Sequence, residues 1–157
     1  MEFKKLKKKE LLLLSHLRED GRISLTELSK KTGVPVSTSY EKIKRYKDRI
    51  GLKPTINLDF KKIGFKLRSF FLLNVKEGKE EELKKFLKRS GNLNSLMRIN
   101  NQYDYLVECF FKELINSEDF EKKLKPFCRN IRHHYAIKEI EENRFLSRTN
   151  LLNLGIL

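Results

Sequence analysis

Small hydroxyl and cationic side chains share one side of a predicted helix that follows Gly33 and Pro35. The hydroxyls come first along this helix, where they can approach bases or phosphates closely. Cations follow over the next turns, and their long side chains can neutralise phosphate oxygens. This polar side consists of Ser37, Thr38, Glu41, Lys42, Lys44, Arg45 and Arg49. Its chemistry is typical of contact with a nucleic-acid backbone and with base edges.

A second, shorter helix precedes this one, and a tight turn joins the two. Ser24 and Glu27 have the S-x-x-E spacing of a capping box, which satisfies free amides at a helix start. Gly33 can end that helix in a left-handed conformation, and Pro35 can begin the next, where its missing N–H does no harm. The stretch Ser24–Ile50 therefore predicts a helix-turn-helix, which places its second helix in the major groove of DNA.

The buried side of this unit follows from the spacing of its other residues. A helix over Lys7–Glu19 brings Leu13, Leu14 and Leu17 against the two later helices. Asp20-Gly21 ends it with turn chemistry. The result is a three-helix head, either winged or tri-helical. In its last helix the inward stripe is predicted to be Ser39, Ile43, Tyr46 and Ile50.

Charge is distributed unevenly between the two halves of this 157-residue chain, whose net charge is +14. Residues 1–66 carry 18 Lys and Arg against 8 Asp and Glu, whereas residues 67–157 carry 17 against 13. The front half is thus +10 and the back half +4. A basic module attached to a more neutral one is the electrostatic pattern expected of a nucleic-acid-binding protein.

The two cysteines and the apolar runs bear on the compartment. Cys109 and Cys128 lie in apolar stretches without metal-ligand spacing, which predicts buried free thiols in a reducing environment. Leu11–Leu14 is too short for a signal-peptide core, and no segment is long enough to span a bilayer. We therefore expect a cytoplasmic location, no membrane association, and neither metal nor cofactor.

The back half alternates strand and helix patterns. Strands are expected at Leu67–Val75, Asn94–Ile99, Tyr103–Phe111 and Ile131–Glu141, and helices at Lys79–Arg89 and Asn116–Cys128, the latter opened by Ser117. This order is that of a ferredoxin-like βαββαβ sandwich, with two helices on one face of an antiparallel sheet. The fold class is α+β: a helix-turn-helix, winged-helix-like head plus this sandwich.

Four segments follow from these patterns. They are the head at 1–53, a joint at 54–64 with a short strand at Thr55–Phe60, the sandwich at 65–146 and an apolar tail at 147–157. The strand runs LRSFFLLNV and YLVECFF are apolar on both alternations, so the uncovered face of the sheet is apolar too. Two such sheets packed face to face would form a homodimer, on which the tail is expected to pack.

Three motifs occur in order along the chain: LLSHLREDGRISLTELSKKTGV with STSYEKIKRY, then LDFKKIG, then INNQYDYLVECF. In these motifs the chain resembles the Lrp/AsnC family, the feast/famine transcription regulators. That family has a leucine-bearing first helix, a D-G-R-I-S turn and a basic third helix. The later motifs are similar to its L-D-P-x-x-L-G and its V-T-G-x-Y-D-Y-hydrophobic signature.

The resemblance implies a DNA-binding head, a strand-like hinge and a dimerising core that assembles further into tetramers or octamers. It also implies that an amino-acid effector binds between the core domains. Recognition-helix roles fall on Ser37, Thr38, Tyr40, Lys42, Lys44 and Arg45, to which the basic face adds Arg49. Effector contacts fall on Asn100, Asn101, Tyr103 and Asp104, with Asn100-Asn101 in place of the family's Thr-Gly.

Two other functions are alternatives to a non-catalytic DNA-binding regulator. Proteins with an Lrp-like head and core act as sirohaem decarboxylases, and His133 or His134 could serve such a site. Neighbouring histidines on a strand point to opposite faces, however, and no nucleophile–base pair accompanies them. The other alternative is a partner-binding module. There Asp104 contacts a ligand or caps its own turn, and Tyr103 and Tyr105 pack on the sheet.

Overall fold

The computed structural model describes residues 6–140, 145–153 and 155. Contacts divide the chain into two compact units, one within Met1–Asn57 and Ile140–Leu157, and the other Leu58–Glu139. We call the first the head and the second the core unit. The elements run α1 (Lys8–Glu19), α2 (Leu25–Thr32), α3 (Val36–Arg49), β1 (Leu67–Val75), α4 (Glu80–Arg89), β2 (Leu93–Arg98), β3 (Tyr105–Phe111), α5 (Leu114–Leu124), β4 (Cys128–Tyr135) and α6 (Arg148–Asn153).

The hydrophobic centre of the head consists of one residue from each of α1, α2 and α3. Leu13, Leu28 and Tyr46 are fully buried and in contact. Half-buried apolar residues surround them: Leu14, Leu17, Ile23, Leu25, Ile43 and Leu52. The helical spacing predicted Leu14, Leu17 and Ile43 among these. The α6 helix packs against α1, and its Leu151 is fully buried. Residues 6–57 contain three helices and no strand, so this part of the head is tri-helical rather than winged.

One predicted core residue, Ile50, is exposed instead. It is the C-cap of α3, and Gly51 follows it with a φ of 66°. This left-handed residue turns the chain so that the amide of Leu52 donates to the Tyr46 carbonyl. Leu52 therefore packs on the head core, in the place that the helical spacing predicted for Ile50.

The strand predicted at Thr55–Phe60 is absent. Residues 51–59 have no regular structure, and Ile56 is 68% exposed. A strand needs a neighbouring strand to pair its backbone groups, and this segment has none among the described residues. A turn follows at Asp59, whose carboxylate accepts from the amides of both Lys61 and Lys62.

The core unit confirms the ferredoxin-like arrangement. Its four antiparallel strands have the order β2-β3-β1-β4. Alternate residues of β1 and β3 pack with α4 and α5 in a single apolar cluster, so both helices lie on one face. The fully buried members of this cluster include Phe71, Leu73, Leu83, Leu87, Val107, Cys109 and Leu124. Both cysteines are buried and free, as predicted.

The bounds of two elements, α5 and β4, differ most from the sequence prediction. The α5 helix begins at Leu114, and Ser117 is a fully buried interior residue rather than its first cap. The helix ends at Leu124, shortly before Pro126, which lacks the N–H that a continuing helix needs. Cys128 therefore starts β4, which ends at Tyr135 rather than continuing to Glu141, a residue outside the described ranges.

Candidate nucleic-acid interface

Local hydrogen bonds define the turn between α2 and α3. Ser24 Oγ accepts from the amide of Glu27 at 3.1 Å, which confirms the predicted helix start. Gly33 ends α2 with a φ of 67°. Thr32 Oγ1 donates to the Leu28 carbonyl at 2.7 Å and accepts from the Val34 amide at 3.3 Å. Side-chain bonds thus satisfy backbone groups that the turn would leave free, and they hold α3 at a fixed place after α2.

The outward side of α3 is polar from its first turn to its last. Ser37 and Thr38 are exposed in the first turn, and the Tyr40 ring is 53% exposed beside them. Exposed cations continue along the helix at Lys44, Arg45, Lys47 and Arg49. No ion pair to a described residue involves Lys44, Lys47 or Arg49, so these charges remain open to an anionic partner. The structure brings these predicted residues together on one surface.

Lys42 is different from the other predicted contact residues. Its Nζ lies 2.8 Å from Oε1 of Glu10 in α1, and only 23% of the Lys42 side chain is exposed. The other carboxylate oxygen of Glu10 accepts from the amide of Lys7 at 2.9 Å. The helical spacing predicted that Lys42 lies on the outward polar side of α3. The structure instead directs its side chain towards α1.

The charge state of Glu10 is set by these contacts. Hydrogen bonds from Lys42 and from the Lys7 amide lower the pKa of Glu10 to about 2. Burial of Tyr46, one turn after Lys42, and the nearby Glu10 carboxylate raise the pKa of that phenol to about 12. The Tyr46 hydroxyl nevertheless forms no hydrogen bond of good geometry with a described residue. A carboxylate, an ammonium group and a neutral phenol thus join α1 to α3.

Two residues at this surface were missed by the sequence interpretation. Lys47 is exposed on α3, and its basic character in the last turn was a sufficient signal. Glu10 was missed because its partner is 32 positions away in the sequence. No local sequence pattern identifies an ion pair between two helices.

The histidine pair lies where the strand alternation placed it. His134 is exposed, and His133 is half-buried against the core with its ring stacked on Phe71 at 4.3 Å. His133 Nε2 lies 2.9 Å from Ser117 Oγ and 3.1 Å from Ser69 Oγ, while Nδ1 lies 3.2 Å from Glu121. Both serines are fully buried, whereas 13% of the His133 side chain and 31% of the Glu121 side chain are exposed. The hydrogen bonds of His133 with the two serines and Glu121 connect β1, β4 and α5.

The four predicted effector residues do not converge on one site. Asn100 and Asn101 are exposed, and Asn101 has a φ of 70°, a conformation that asparagine tolerates better than most residues. Tyr103 is buried, and its hydroxyl has no hydrogen bond to a described residue. Asp104 Oδ2 accepts from the Val75 amide at 2.7 Å, so it caps the end of β1 rather than its own turn.

A shallow polar cavity of about 280 Å³ lies at this end of the sheet. It is lined by Val75, Lys76, Glu77, Gly78, Glu80, Arg98, Asp104 and Tyr105. Glu80 accepts from the Tyr105 hydroxyl and pairs with Lys84 at 2.9 Å. Those two hydrogen bonds lower the pKa of Glu80. The cavity lining thus contains one exposed guanidinium, one ammonium group and three carboxylates, and Asp104 is its only member among the predicted effector residues.

Several protein comparisons agree with this architecture. Residues 6–49 match the family model described as winged helix-turn-helix DNA-binding. The chain is 30% identical over 113 residues to the HTH-type transcriptional regulator FL11 of Pyrococcus furiosus, covering 71% of this chain and 73% of that protein. It is also 28% identical to an uncharacterised HTH-type transcriptional regulator of the same organism, covering 83% and 90% of the two chains.

Solved structures extend the similarity to the whole fold. Bacillus subtilis LrpC superposes with a TM-score of 0.80 at 25% identity, over 87% of this chain and 98% of LrpC. A Neisseria meningitidis transcriptional regulator solved with L-Met superposes with a TM-score of 0.81 at 19% identity, covering 88% and 94%. Together with the helix-turn-helix and the βαββαβ core, these similarities show that the chain is a DNA-binding transcriptional regulator of the Lrp/AsnC family.

Proposed function

We propose that this regulator reads duplex DNA with the exposed side of α3, which we call the contact face: Ser37, Thr38, Tyr40, Lys44, Arg45, Lys47 and Arg49. The observation that supports it most strongly is the exposure of these cations on the second helix of a helix-turn-helix. The first turn, with Ser37 and Thr38, reaches base edges. The later cations bind phosphates, which gives affinity without sequence preference.

The proposed DNA reader is a homodimer formed through the core units. The sheet face opposite α4 and α5 carries half-buried apolar residues, among them Phe70, Leu72, Leu106 and Phe110. No described helix or strand of the core unit covers this face as a layer, although the Phe60 ring packs on Phe110 with ring centroids 4.3 Å apart. Burying this face against a second copy removes apolar surface from water and gives two heads related by one axis.

Selection of genomic fragments by the purified protein tests the proposed reader. A symmetric dimer should enrich inverted repeats whose half-sites are spaced by about one helical turn or a multiple of it. Footprinting on the selected fragment should protect both half-sites, and sedimentation should give twice the chain mass. Enrichment of sequences without symmetry, together with sedimentation as a monomer, would contradict the dimeric reader.

The proposed effector is an amino acid bound at the cavity beside β1 and α4. Arg98 can pair with a ligand carboxylate, while Asp104 and Glu80 can accept from an ammonium group. The related Neisseria regulator, similar in fold, was solved with L-Met. Thermal unfolding in the presence of each of the twenty amino acids tests this idea. Arg98→Gln should abolish any stabilisation, whereas the exposed control Arg89→Gln should retain it.

A further inference from the structure

Lys42 and Glu10 form the closest charged contact between α1 and α3. The 2.8 Å ion pair leaves 13% of the Glu10 side chain and 23% of the Lys42 side chain exposed. By contrast, Lys44 and Arg45 are exposed, on the part of α3 proposed to face DNA. The basic residues of this helix therefore belong to two groups, one directed outward and one directed to the neighbouring helix.

Glu10 has both of its oxygens engaged. Oε2 accepts from the Lys7 amide at the start of α1, and Oε1 accepts from Lys42. A carboxylate near a helix N-terminus is additionally favoured by the helix dipole. Releasing Lys42 to a phosphate would leave the half-buried Glu10 without its cationic partner, which is unfavourable. The ion pair should therefore persist when DNA binds.

We propose that Glu10 is a positioning residue for α3: it holds Lys42 against α1, fixes the angle of the contact face, and withholds one cation from phosphate binding. This inference rests on the proposed role of α3 in reading DNA. Because phosphate contacts add affinity for every sequence equally, withholding one of them lowers non-specific affinity without loss of base contacts. Glu10 thereby favours discrimination between operator and other DNA.

The salt dependence of DNA binding counts phosphate contacts, because each contact contributes about 0.9 to the slope of log affinity against log salt concentration. The double variant Glu10→Gln/Lys42→Met preserves net charge and removes the ion pair. It should bind with the wild-type salt slope, because neither charge reaches DNA. The matched variant Glu41→Gln/Lys44→Met also preserves net charge, and its slope should fall by about 0.9, because Lys44 is exposed on the contact face.

The single variant Glu10→Gln should release Lys42. Non-specific DNA should then be bound with a slope steeper by about 0.9, so that the affinity ratio between 50 and 200 mM salt rises by about 3-fold. Asp48→Asn, which removes an exposed carboxylate from α3, should leave this slope unchanged. Circular dichroism establishes that each variant remains folded under the binding conditions.

Two results would overturn the inference: a slope for Glu10→Gln/Lys42→Met that falls as far as that of Glu41→Gln/Lys44→Met, or a Glu10→Gln slope equal to wild type. Either would show that Lys42 already contacts phosphate or that Glu10 does not restrain it. Failure of the proposed reading of DNA by α3 is distinguishable, because the slope of Glu41→Gln/Lys44→Met would then equal that of wild type.

Discussion

The guanidinium of Arg68 on β1 lies 2.5 Å from the carboxylate of Glu108 on β3, on the sheet face proposed to dimerise. Only 8% of the Glu108 side chain is exposed, and Asn94 and Ser95 donate to its other oxygen at 2.6 and 2.8 Å. Burial opposes its ionisation, but the hydrogen bonds from Asn94, Ser95 and Arg68 prevail and lower the pKa of Glu108. An ordered charged network thus lies within a largely apolar surface.

Replacing Glu108 with Gln should reduce the free energy of unfolding of the core unit by about 2 kcal/mol at pH 7, because Arg68 loses a charged partner. A carboxylate whose pKa is lowered on folding stabilises the native state above the unfolded-state pKa. The difference from wild type should therefore shrink as the pH falls below about 4.5, as measured by denaturant unfolding. The exposed Glu118→Gln should show no such difference, and a Glu108→Gln deficit that is equal at pH 7 and pH 3 would refute this account.

Glu10 gives the unfolding free energy of the head a similar dependence on pH. Its pKa of about 2 lies below the ordinary value of 4.5, so the contribution of Glu10 is complete above pH 4.5 and is lost as the pH falls towards 2. Glu10→Gln should lower the unfolding free energy of the head by about 2 kcal/mol at pH 7. Chemical unfolding monitored by α-helical circular dichroism measures this, and equal stabilities of variant and wild type at pH 7 would exclude a stabilising ion pair.

The hydroxyls of Ser117 and Ser69 both form a hydrogen bond with Nε2 of His133. Ser117→Ala should cost about 1 kcal/mol of unfolding free energy, because a buried hydrogen bond is lost. The Ser69→Ala change should cost a similar amount. The unfolding free energy lost in the double variant should differ from the sum of the two single losses, because the two hydroxyls also lie 3.0 Å apart. Strict additivity in a double-mutant cycle would mean that the three groups do not act together.

Gly33 holds the turn of the helix-turn-helix in a left-handed conformation. A methyl group there would meet no atom within 4 Å, so Gly33→Ala tests backbone strain alone. We expect a loss of about 1 to 2 kcal/mol in unfolding free energy. Gly21→Ala is the control in the same unit, because Gly21 lacks a positive φ and its added methyl would make only ordinary contact with the Leu17 carbonyl at 3.8 Å. Equal unfolding free energies of the two variants would contradict the claim that the left-handed backbone at position 33 strains an alanine.

Local patterns in the sequence were sufficient for most of the fold. The cap at Ser24, the left-handed Gly33 and the alternation of Leu67–Val75 each depend on neighbouring residues, and each is present as predicted. The strand predicted at Thr55–Phe60 needs a distant partner, and Ile50 is exposed because the turn at Gly51 interrupts the helical spacing. The spacing of neighbouring residues alone shows neither the missing strand partner nor the direction of the chain after Gly51.

The same limit applies to the candidate sites. Exposed cations such as Lys44 could be assigned from helical spacing alone, but the direction of Lys42 depends on Glu10, far away in the sequence. Asp104 was expected to contact a ligand or cap its own turn. Its carboxylate accepts from the Val75 amide rather than from its own turn, and only the register of β1 and β3 brings these two groups close.

The central claim, that the cations of α3 contact phosphates, is tested most directly by the salt dependence of operator binding. Lys44→Gln/Arg45→Gln/Arg49→Gln should flatten the slope of log affinity against log salt by about 2 to 3 and weaken binding by about 10-fold or more. The matched variant Lys85→Gln/Lys88→Gln/Arg89→Gln removes three exposed cations from α4 and should bind as wild type does. A slope and affinity unchanged by the α3 substitutions would contradict the claim.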